Sequence, residues 1–286
     1  NRQVIAAGRP PINFDLLSIN IGSRPRTIDI PGAAEYAMPV KPIDIWLRQW
    51  QDLQDRVVAS QGRFQVVVVG GGAGGVELAL STQHRLHTLL RQNGDDPARL
   101  HYTLLSQSDT VMPTHNKGVQ RRFSRILRER GIVVRTGHRA TEVTPTAVHA
   151  DGEDPQPADA VLWVTQASAP DWPASSGLAV DEQGFIQVDD YLQSLSHPGI
   201  FAAGDIAAMP DPRPKSGVFA VRQGKVLTAN LQRACRGRAL RRYRPQRNFL
   251  GLISTGDTYA VASRGNWSWE GRLLWTWKDW IDRRFM

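Results

Sequence analysis

Cysteine is the residue that this chain most clearly lacks: Cys235 is the single one among 286 residues. A disulfide within the chain and a Cys-x-x-Cys redox pair are therefore excluded. Long apolar runs are missing as well, and no stretch reaches the roughly 18 residues that a membrane-spanning helix needs. His84 and His87 lie about one helical turn apart, but no cysteine or carboxylate is spaced to join them as a third ligand. We therefore expect no metal site.

Acidic residues are also in short supply. The chain has 27 Asp and Glu against 35 Lys and Arg, which gives a formal net charge of +8. An excess of positive charge favours an anionic partner, such as a phosphate-bearing cofactor, an acidic lipid surface or a nucleic acid. No zinc finger, RNA-binding signature or long basic tract occurs, so we expect no nucleic-acid partner.

Glycine is concentrated in one loop. Residues 64–69, FQVVVV, form the continuous β-branched run of a strand that is buried on both faces. Residues 70–75, GGGAGG, follow it and lead into a helical pattern, so Gly70, Gly72 and Gly75 match G-x-G-x-x-G in its proper context. The three glycines allow, in order, a tight turn, close approach of the backbone to a pyrophosphate, and close packing of helix and strand. The alternative is a glycine-rich turn that binds nothing.

The residue that would read the adenosine ribose is not evident. Dinucleotide sites often carry an Asp or Glu about 20 residues after the glycine loop, at the end of the second strand. Asp95 and Asp96 have that spacing but lie in a turn, whereas the predicted second strand ends at Leu105-Ser106. Ser106 therefore occupies the position of the expected acid, and the sequence leaves the choice between NAD and NADP open.

Two sequence segments together indicate a family. They are VVVVGGGAGGVELAL and FAAGDIAAM, the second at residues 201–209. With these two phrases the chain resembles the pyridine nucleotide-disulfide oxidoreductase superfamily, in its branch without redox cysteines. FDLLSINIGSRP, GFIQVDDYLQS, GVFAVRQGKVLTANL and FLGLISTGDTYAVASRG extend the likeness over nearly the whole chain. Within the superfamily it is similar to type II NADH dehydrogenases, and more so to the oxidoreductase associated with selenide, water dikinase.

The resemblance implies an α/β, Rossmann-like two-dinucleotide-binding flavoprotein fold, in which an NAD(P) domain interrupts an FAD domain and a C-terminal α+β interface segment follows. It implies a remnant of the first FAD segment with a connector at residues 1–60, and an NAD(P)-binding domain at 61–167. The second FAD segment then covers residues 168–245 and the interface segment 246–286. The glycine loop for the FAD pyrophosphate would precede Asn1, so the resemblance implies an N-terminally truncated chain.

The resemblance also implies the binding residues. The NAD(P) site would comprise Gly70, Gly72, Ala73, Gly74, Gly75 and Ser106. Gly22 and Ser23 would lie beside the flavin nucleotide, Asp205 would accept hydrogen bonds from the ribityl chain of FAD, and Gly204 would allow close approach. Glu77, in the first turn of the nucleotide-binding helix, is the candidate catalytic residue. Its alternative role is that of a carboxylate placed favourably at a helix N-terminus.

The implied activity is that of an NAD(P)H-dependent flavoprotein oxidoreductase. It would pass hydride from NAD(P)H to FAD and on to a small-molecule acceptor. Quinone-reducing relatives carry two glutamines where this chain has Val218 and Arg222, which counts against a peripheral membrane NADH:quinone reductase. A non-catalytic nucleotide-binding or partner-docking module is the other alternative. Selenide, water dikinase is the candidate protein partner, and the implied location is cytoplasmic, with a membrane-peripheral one as the alternative.

The C-terminal tail is rich in tryptophan, and its apolar residues are spaced to share one face of a helix. Those residues are Leu273, Leu274, Trp277, Trp280 and Ile281. Aromatic stripes are usually buried, so the pattern favours packing against the protein itself or a homodimer through this segment. The neighbouring basic residues also suit a helix lying in a membrane interface, which stays the alternative.

Overall fold

The computed structural model describes residues 2–25, 30–165, 167–246 and 249–285. The chain divides into two compact units, each built from two segments. Unit 1 comprises Asn1–Arg24 and Ala167–Arg247, and unit 2 comprises Pro25–Gln166 and Asn248–Met286.

Helices and strands alternate between Ala33 and Thr136, and strands are more numerous than helices in the rest of the described chain. The helices are α1 (Ala33–Tyr36), α2 (Ile43–Ala59), α3 (Ala73–Gln92), α4 (Lys117–Glu129), α5 (Trp172–Ser175), α6 (Gly217–Cys235) and α7 (Arg272–Phe285). The strands are β1 (Gln3–Val4), β2 (Ile12–Asn13), β3 (Leu17–Ile19), β4 (Arg24–Pro25), β5 (Ala37–Pro39), β6 (Phe64–Val69), β7 (Leu100–Ser106), β8 (Val133–Thr136), β9 (Ala140–Val143), β10 (Ala147–Ala150), β11 (Gln156–Pro157), β12 (Ala160–Trp163), β13 (Ala167–Ser168), β14 (Ile186–Gln187), β15 (Ile200–Ala202), β16 (Ala207–Ala208), β17 (Gly251–Ser254), β18 (Ala260–Arg264) and β19 (Trp267–Gly271).

A five-stranded sheet in the order β5-β12-β6-β7-β8 forms the centre of unit 2, and all its neighbouring strands are parallel. Strand β6 is central, and its valines Val66, Val67 and Val68 are fully buried, as a strand covered on both faces requires. The chain runs from β6 outward to β7 and β8, then returns to the other side of β6 at β12. This reversal places a ligand crevice beyond the carboxyl end of β6. The α/β, Rossmann-like fold is confirmed.

Helices α2 and α3 cover one face of this sheet. Leu53 and Val57 of α2 lie in the same buried cluster as Val76 and Leu80 of α3. A separate three-stranded sheet, β11-β10-β9, belongs to the same unit.

The C-terminal segment completes the core of unit 2. Strands β17, β18 and β19 form an antiparallel sheet, and Ile253 and Val261 join the buried cluster that contains Leu80. Gly256 lies directly against the backbone of α3: a Cβ added there would come within 2.7 Å of the Leu80 carbonyl carbon. Residues 249–285 are therefore packed into unit 2 with the parallel sheet.

Ion pairs connect the C-terminal segment to α4. Glu270 of β19 accepts hydrogen bonds from Arg122 at 2.6 Å and Arg125 at 2.8 Å, and its side chain is only 16% exposed. Arg130, just after α4, pairs with Asp257. Such partly buried, multiply bonded pairs contribute more than isolated surface ion pairs do.

Unit 1 contains a parallel pair, β3 and β15, in which Ala202 lies opposite Ile19. Helix α6 packs beside it, with Phe219 and Leu227 buried. Asn230 is fully buried and its side chain bonds the backbone of Tyr191 and Arg241 at 2.8 Å each. This pairing satisfies a polar group that would otherwise be costly to bury.

The tryptophan-rich tail differs from the expectation of one buried helical face. Trp267 and Trp269 lie on β19, and α7 turns Leu274 toward the sheet while Trp277 and Trp280 are 45% and 56% exposed. Leu273 is 78% exposed as well. The predicted stripe is therefore divided. Leu274 is buried and Ile281 is half-buried, whereas the prediction of core packing is wrong for Leu273, Trp277 and Trp280. Within the described ranges, no helix is both long and apolar enough to cross a membrane.

The contact between Gly256 and α3 gives a test of how the C-terminal segment is held. Gly256 has φ +85° and no room for a side chain, whereas Gly131 has φ +69° and open space around it. We expect Gly256→Ala to lower the free energy of unfolding by about 2 kcal/mol more than Gly131→Ala, which shares only the backbone strain. Thermal and denaturant unfolding of both variants measures this difference. Equal losses in the two variants would show that the close approach does not matter.

Candidate functional site

The glycine loop is packed against the carboxyl ends of two strands. The Gly70 N–H donates to the Leu105 carbonyl at 2.8 Å, and the Gly71 carbonyl accepts from the Met112 N–H at 2.8 Å. A Cβ at Gly70 would overlap the carbonyl of Val164, and one at Gly75 would overlap the carbonyl of Gly70. These two positions are therefore glycines because the backbone leaves no space.

Gly72 differs from both, because a Cβ built there would meet nothing within 4 Å. Gly72 caps α3 in an extended conformation and offers no side chain to its first N–H groups, and none of the described residues has a side chain bonded to them. Ala73 and Gly74 form its first turn, and Gly74 is exposed. Free N–H groups and the positive end of a helix dipole, in front of an open cradle, suit an anion such as a pyrophosphate.

Ser106 lies beside this loop at the last position of β7. It is 4% exposed, and its side chain lies so close to Gly71 that a Cβ on Gly71 would overlap the hydroxyl. The hydroxyl oxygen accepts the Ser108 N–H at 3.2 Å. Asp95 and Asp96 lie at the opposite end of the strand, where Asp95 pairs with Arg99 and Asp96 caps a short 3-10 turn.

Glu77 lies on α3, but the prediction that it lies in the first turn is wrong, because the helix begins at Ala73 and its first turn has no acidic residue. The C-terminal segment holds the Glu77 carboxylate. Oε1 accepts the Ser254 N–H at 3.0 Å and lies 3.7 Å from the Nζ of Lys278 on α7. Burial of the carboxylate raises the pKa of Glu77 above its ordinary value, although the Ser254 N–H and the Lys278 ammonium act in the opposite direction. The side chain therefore connects the nucleotide-binding helix to β17 and α7.

The predicted flavin residues of unit 1 lie together. Gly204, at φ +75°, begins a 3-10 turn that carries Asp205, and the Ser23 hydroxyl donates to the Asp205 carboxylate at 3.0 Å. A Cβ on Gly204 would come within 2.6 Å of the Asn20 side-chain oxygen. Gly22 precedes Ser23 and has open space around it. Residues far apart in the sequence are thus brought to one polar turn.

Two further residues of this turn escaped the sequence analysis. Gln223 of α6 is 4% exposed, and its side-chain oxygen accepts the Gly204 N–H at 2.6 Å. Lys215 donates to the Ala207 carbonyl at 2.6 Å and lies 3.9 Å above the ring of Phe185. Burial lowers the pKa of Lys215, while Asp181 and Asp205 act to raise it. Gln223 lies within the segment GVFAVRQG and Lys215 lies two residues before it, but the residue pattern of that segment does not indicate either contact.

Among the residues that the structure describes, no cluster of three His, Cys, Asp or Glu is arranged to hold a metal ion. The polar groups of interest are instead those of the glycine loop in unit 2 and of the 204–206 turn in unit 1.

A buried parallel strand, a glycine loop and an uncapped helix N-terminus at the switch point of the sheet define a dinucleotide-binding α/β protein. Residues 3–224 match the family model described as pyridine nucleotide-disulphide oxidoreductase. The chain belongs to that family, as the sequence resemblance indicated.

Curated proteins with similar sequences are named as dehydrogenases or reductases. An NADH dehydrogenase-like protein of Mycobacterium tuberculosis is 29% identical over 209 residues, which cover 72% of this chain and 52% of that protein. The demethylphylloquinone reductase NdbB of Synechocystis is 26% identical over 258 residues, covering 87% of this chain and 61% of that one. The chain therefore spans between about half and two thirds of the length of these relatives.

Solved structures share the fold at low sequence identity. NDH2 from Plasmodium falciparum in complex with NADH superposes with a TM-score of 0.81 at 14% identity, over 96% of this chain and 75% of that one. The sulfide:quinone oxidoreductase of Aquifex aeolicus gives a TM-score of 0.81 at 18% identity, over 99% and 71% of the two chains.

The raised pKa of Glu77 predicts how the free energy of unfolding changes with pH. The folded chain keeps this proton at pH values where the unfolded chain has lost it, so the free energy of unfolding falls as pH rises above the ordinary glutamate pKa of about 4.3. Glu77→Gln keeps an acceptor for the Ser254 N–H but removes this titration. We expect the fall in stability with rising pH in that window to be shallower in the variant.

Chemical denaturation of both proteins across the acid range measures the two slopes. Glu129→Gln is the control, because Glu129 is an exposed partner of Arg125. Identical slopes in the original chain and in Glu77→Gln would contradict the assignment.

Proposed function

We propose that this chain is the nucleotide-binding part of an FAD-dependent NAD(P)H oxidoreductase. The observation that carries the proposal is the open cradle at Gly72, where the free N–H groups of α3 meet the carboxyl ends of β7 and β12. The family and the named relatives support it. When bound, FAD would take hydride from NAD(P)H and pass the electrons to a small-molecule acceptor.

In unit 2 the chain's own residues would position the nucleotide. The N–H groups that follow Gly72 would bind the pyrophosphate, with Ala73 and Gly74 leaving it room. Ser106 would lie at the adenosine ribose. Glu77 is proposed to act at the nicotinamide end, with the Ser254 N–H fixing the orientation of its carboxylate.

In unit 1 the 204–206 turn would hold the ribityl chain of FAD. Asp205 would accept its hydroxyl hydrogen bonds, Ser23 and Gln223 would fix the turn, and Gly22 would lie beside the flavin nucleotide. Lys215 would add a positive charge near the start of α6, where an anionic reduced flavin is favoured. A selenide, water dikinase partner is supported by the sequence resemblance alone.

A spectroscopic titration tests this function. With FAD supplied and oxygen removed, we expect NADH or NADPH to bleach the flavin absorbance of the full chain. Gly72→Ala should fold normally, since the space is open, but should weaken nucleotide binding by about tenfold or more because its methyl group fills the cradle, a loss of about 1.4 kcal/mol.

Gly62→Ala is the matched control, because Gly62 also has open space but lies before β6. A Gly72→Ala chain that binds NADH and NADPH as tightly as the Gly62→Ala chain would contradict the proposed cradle. A chain that retains FAD but is bleached by neither nucleotide would contradict the proposed reaction.

A membrane-peripheral position is a second proposal, favoured by the exposed apolar face of α7. Leu273, Trp277 and Trp280 are exposed together, and Arg284 lies 5.4 Å from the ring of Trp280. An exposed aromatic stripe beside cationic side chains suits the headgroup region of an anionic bilayer. A homodimer through the same face is the competing proposal.

Vesicle sedimentation separates the two proposals. The chain should co-sediment with vesicles containing anionic phospholipid, and Trp277→Ala with Trp280→Ala should reduce the bound fraction by about threefold or more. Trp172→Ala is the control, because Trp172 is 41% exposed in unit 1. A concentration-dependent mass in light scattering, lost in the double variant and without vesicle binding, would show a dimer instead.

A further inference from the structure

The residue at the carboxyl end of β7 influences whether the proposed nucleotide site binds NADH or NADPH. In a site built for NAD, a carboxylate here accepts hydrogen bonds from the ribose hydroxyls. The same carboxylate repels the 2′-phosphate of NADP by direct Coulomb interaction. The side chain at this one position therefore decides a large part of the selectivity.

In this chain the position is held by a neutral, buried hydroxyl. Ser106 is the last residue of β7, it pairs in register with Thr136, and its side chain lies against Gly71 of the loop. That contact places the residue where a ribose-reading side chain belongs. Its hydroxyl already accepts the Ser108 N–H.

The segment that follows β8 borders this strand end. The His138 N–H donates to the Ser106 carbonyl at 3.1 Å, and the Gly137 N–H donates to the Ser108 carbonyl at 3.1 Å. Charged side chains on this segment therefore share the surroundings of the predicted ribose position.

The charged side chains around the strand end are of both signs. Glu153 pairs with Arg135 at 3.0 Å and with His138 at 3.1 Å. Asp109 is exposed, and its carboxylate lies 3.6 Å from where a Cβ on Gly137 would be. Arg139 is exposed on the same segment. Ser106 thus takes the position at which a site built for NAD has a carboxylate, and among the described residues of this region no other side chain supplies a carboxylate at that position.

We infer that the nucleotide site of unit 2 does not exclude a 2′-phosphate, so that it binds NADPH about as well as NADH. This inference rests on the proposed function and extends it from a nicotinamide nucleotide in general to the phosphorylated form. Ser106 is the selectivity-determining residue in this assignment.

Calorimetric titration of the full chain with NADH and with NADPH tests the inference without any need for turnover. We expect the two dissociation constants to agree within about tenfold, which is 1.4 kcal/mol. Ser106→Asp should weaken NADPH binding relative to NADH by about tenfold or more, because it places a carboxylate against the 2′-phosphate. Ser175→Asp is the control, because Ser175 is an exposed serine of α5 in unit 1, and it should leave the ratio unchanged.

A second variant covers the case in which the buried aspartate prevents folding. Gln107 is the next residue and is exposed, so Gln107→Asp should fold normally and shift the ratio in the same direction by a smaller factor. Thermal unfolding of each variant confirms that the compared chains are folded.

The outcomes distinguish this inference from the proposed function. An original chain that binds NADH more than tenfold tighter than NADPH would overturn the inference and leave the proposed function intact. A chain that binds neither nucleotide would overturn the proposed function itself. Equal binding of both nucleotides by a folded Ser106→Asp chain would overturn the role given to Ser106.

Discussion

The packing of the glycine loop against the ends of the parallel strands is the constraint on which the rest of unit 2 depends. Gly75 must lie against the carbonyl of Gly70 for α3 to begin where it does. Since α3 then covers the sheet, its start fixes both the open cradle at Gly72 and the position of Glu77. A side chain at Gly70 or Gly75 would push helix and strand apart, whereas Gly72 keeps space free for something other than protein.

The C-terminal segment extends this arrangement from the loop to the surface. Gly256 packs on the backbone of α3, and Ser254 and Lys278 hold the carboxylate of Glu77. The exposed side chains of Leu273, Trp277 and Trp280 therefore lie on the same helix as Lys278, which approaches the Glu77 carboxylate of α3.

Much of unit 2 was predictable because its signals are local. A run of β-branched residues, a glycine loop and a helical pattern follow one another without interruption, so β6 and α3 could be read from residues 64–92 directly. The place of Ser106 at a strand end was predictable for the same reason. The bond from the Gly204 N–H to Gln223 was not, because it depends on where α6 lies against a turn that is distant in sequence.

The class of fold, the glycine loop and the family are predictable from the residues alone, because a β-branched run followed by G-x-G-x-x-G and a helical pattern leaves few alternatives. Which stripe of α7 faces inward depends instead on tertiary packing. The apolar residues of that helix form two adjacent stripes, and the sheet formed by β17, β18 and β19 covers the one that contains Leu274. The bond between Glu77 and the C-terminal segment likewise depends on tertiary packing, because Glu77 and Ser254 lie far apart along the chain and meet only when β17 packs on α3.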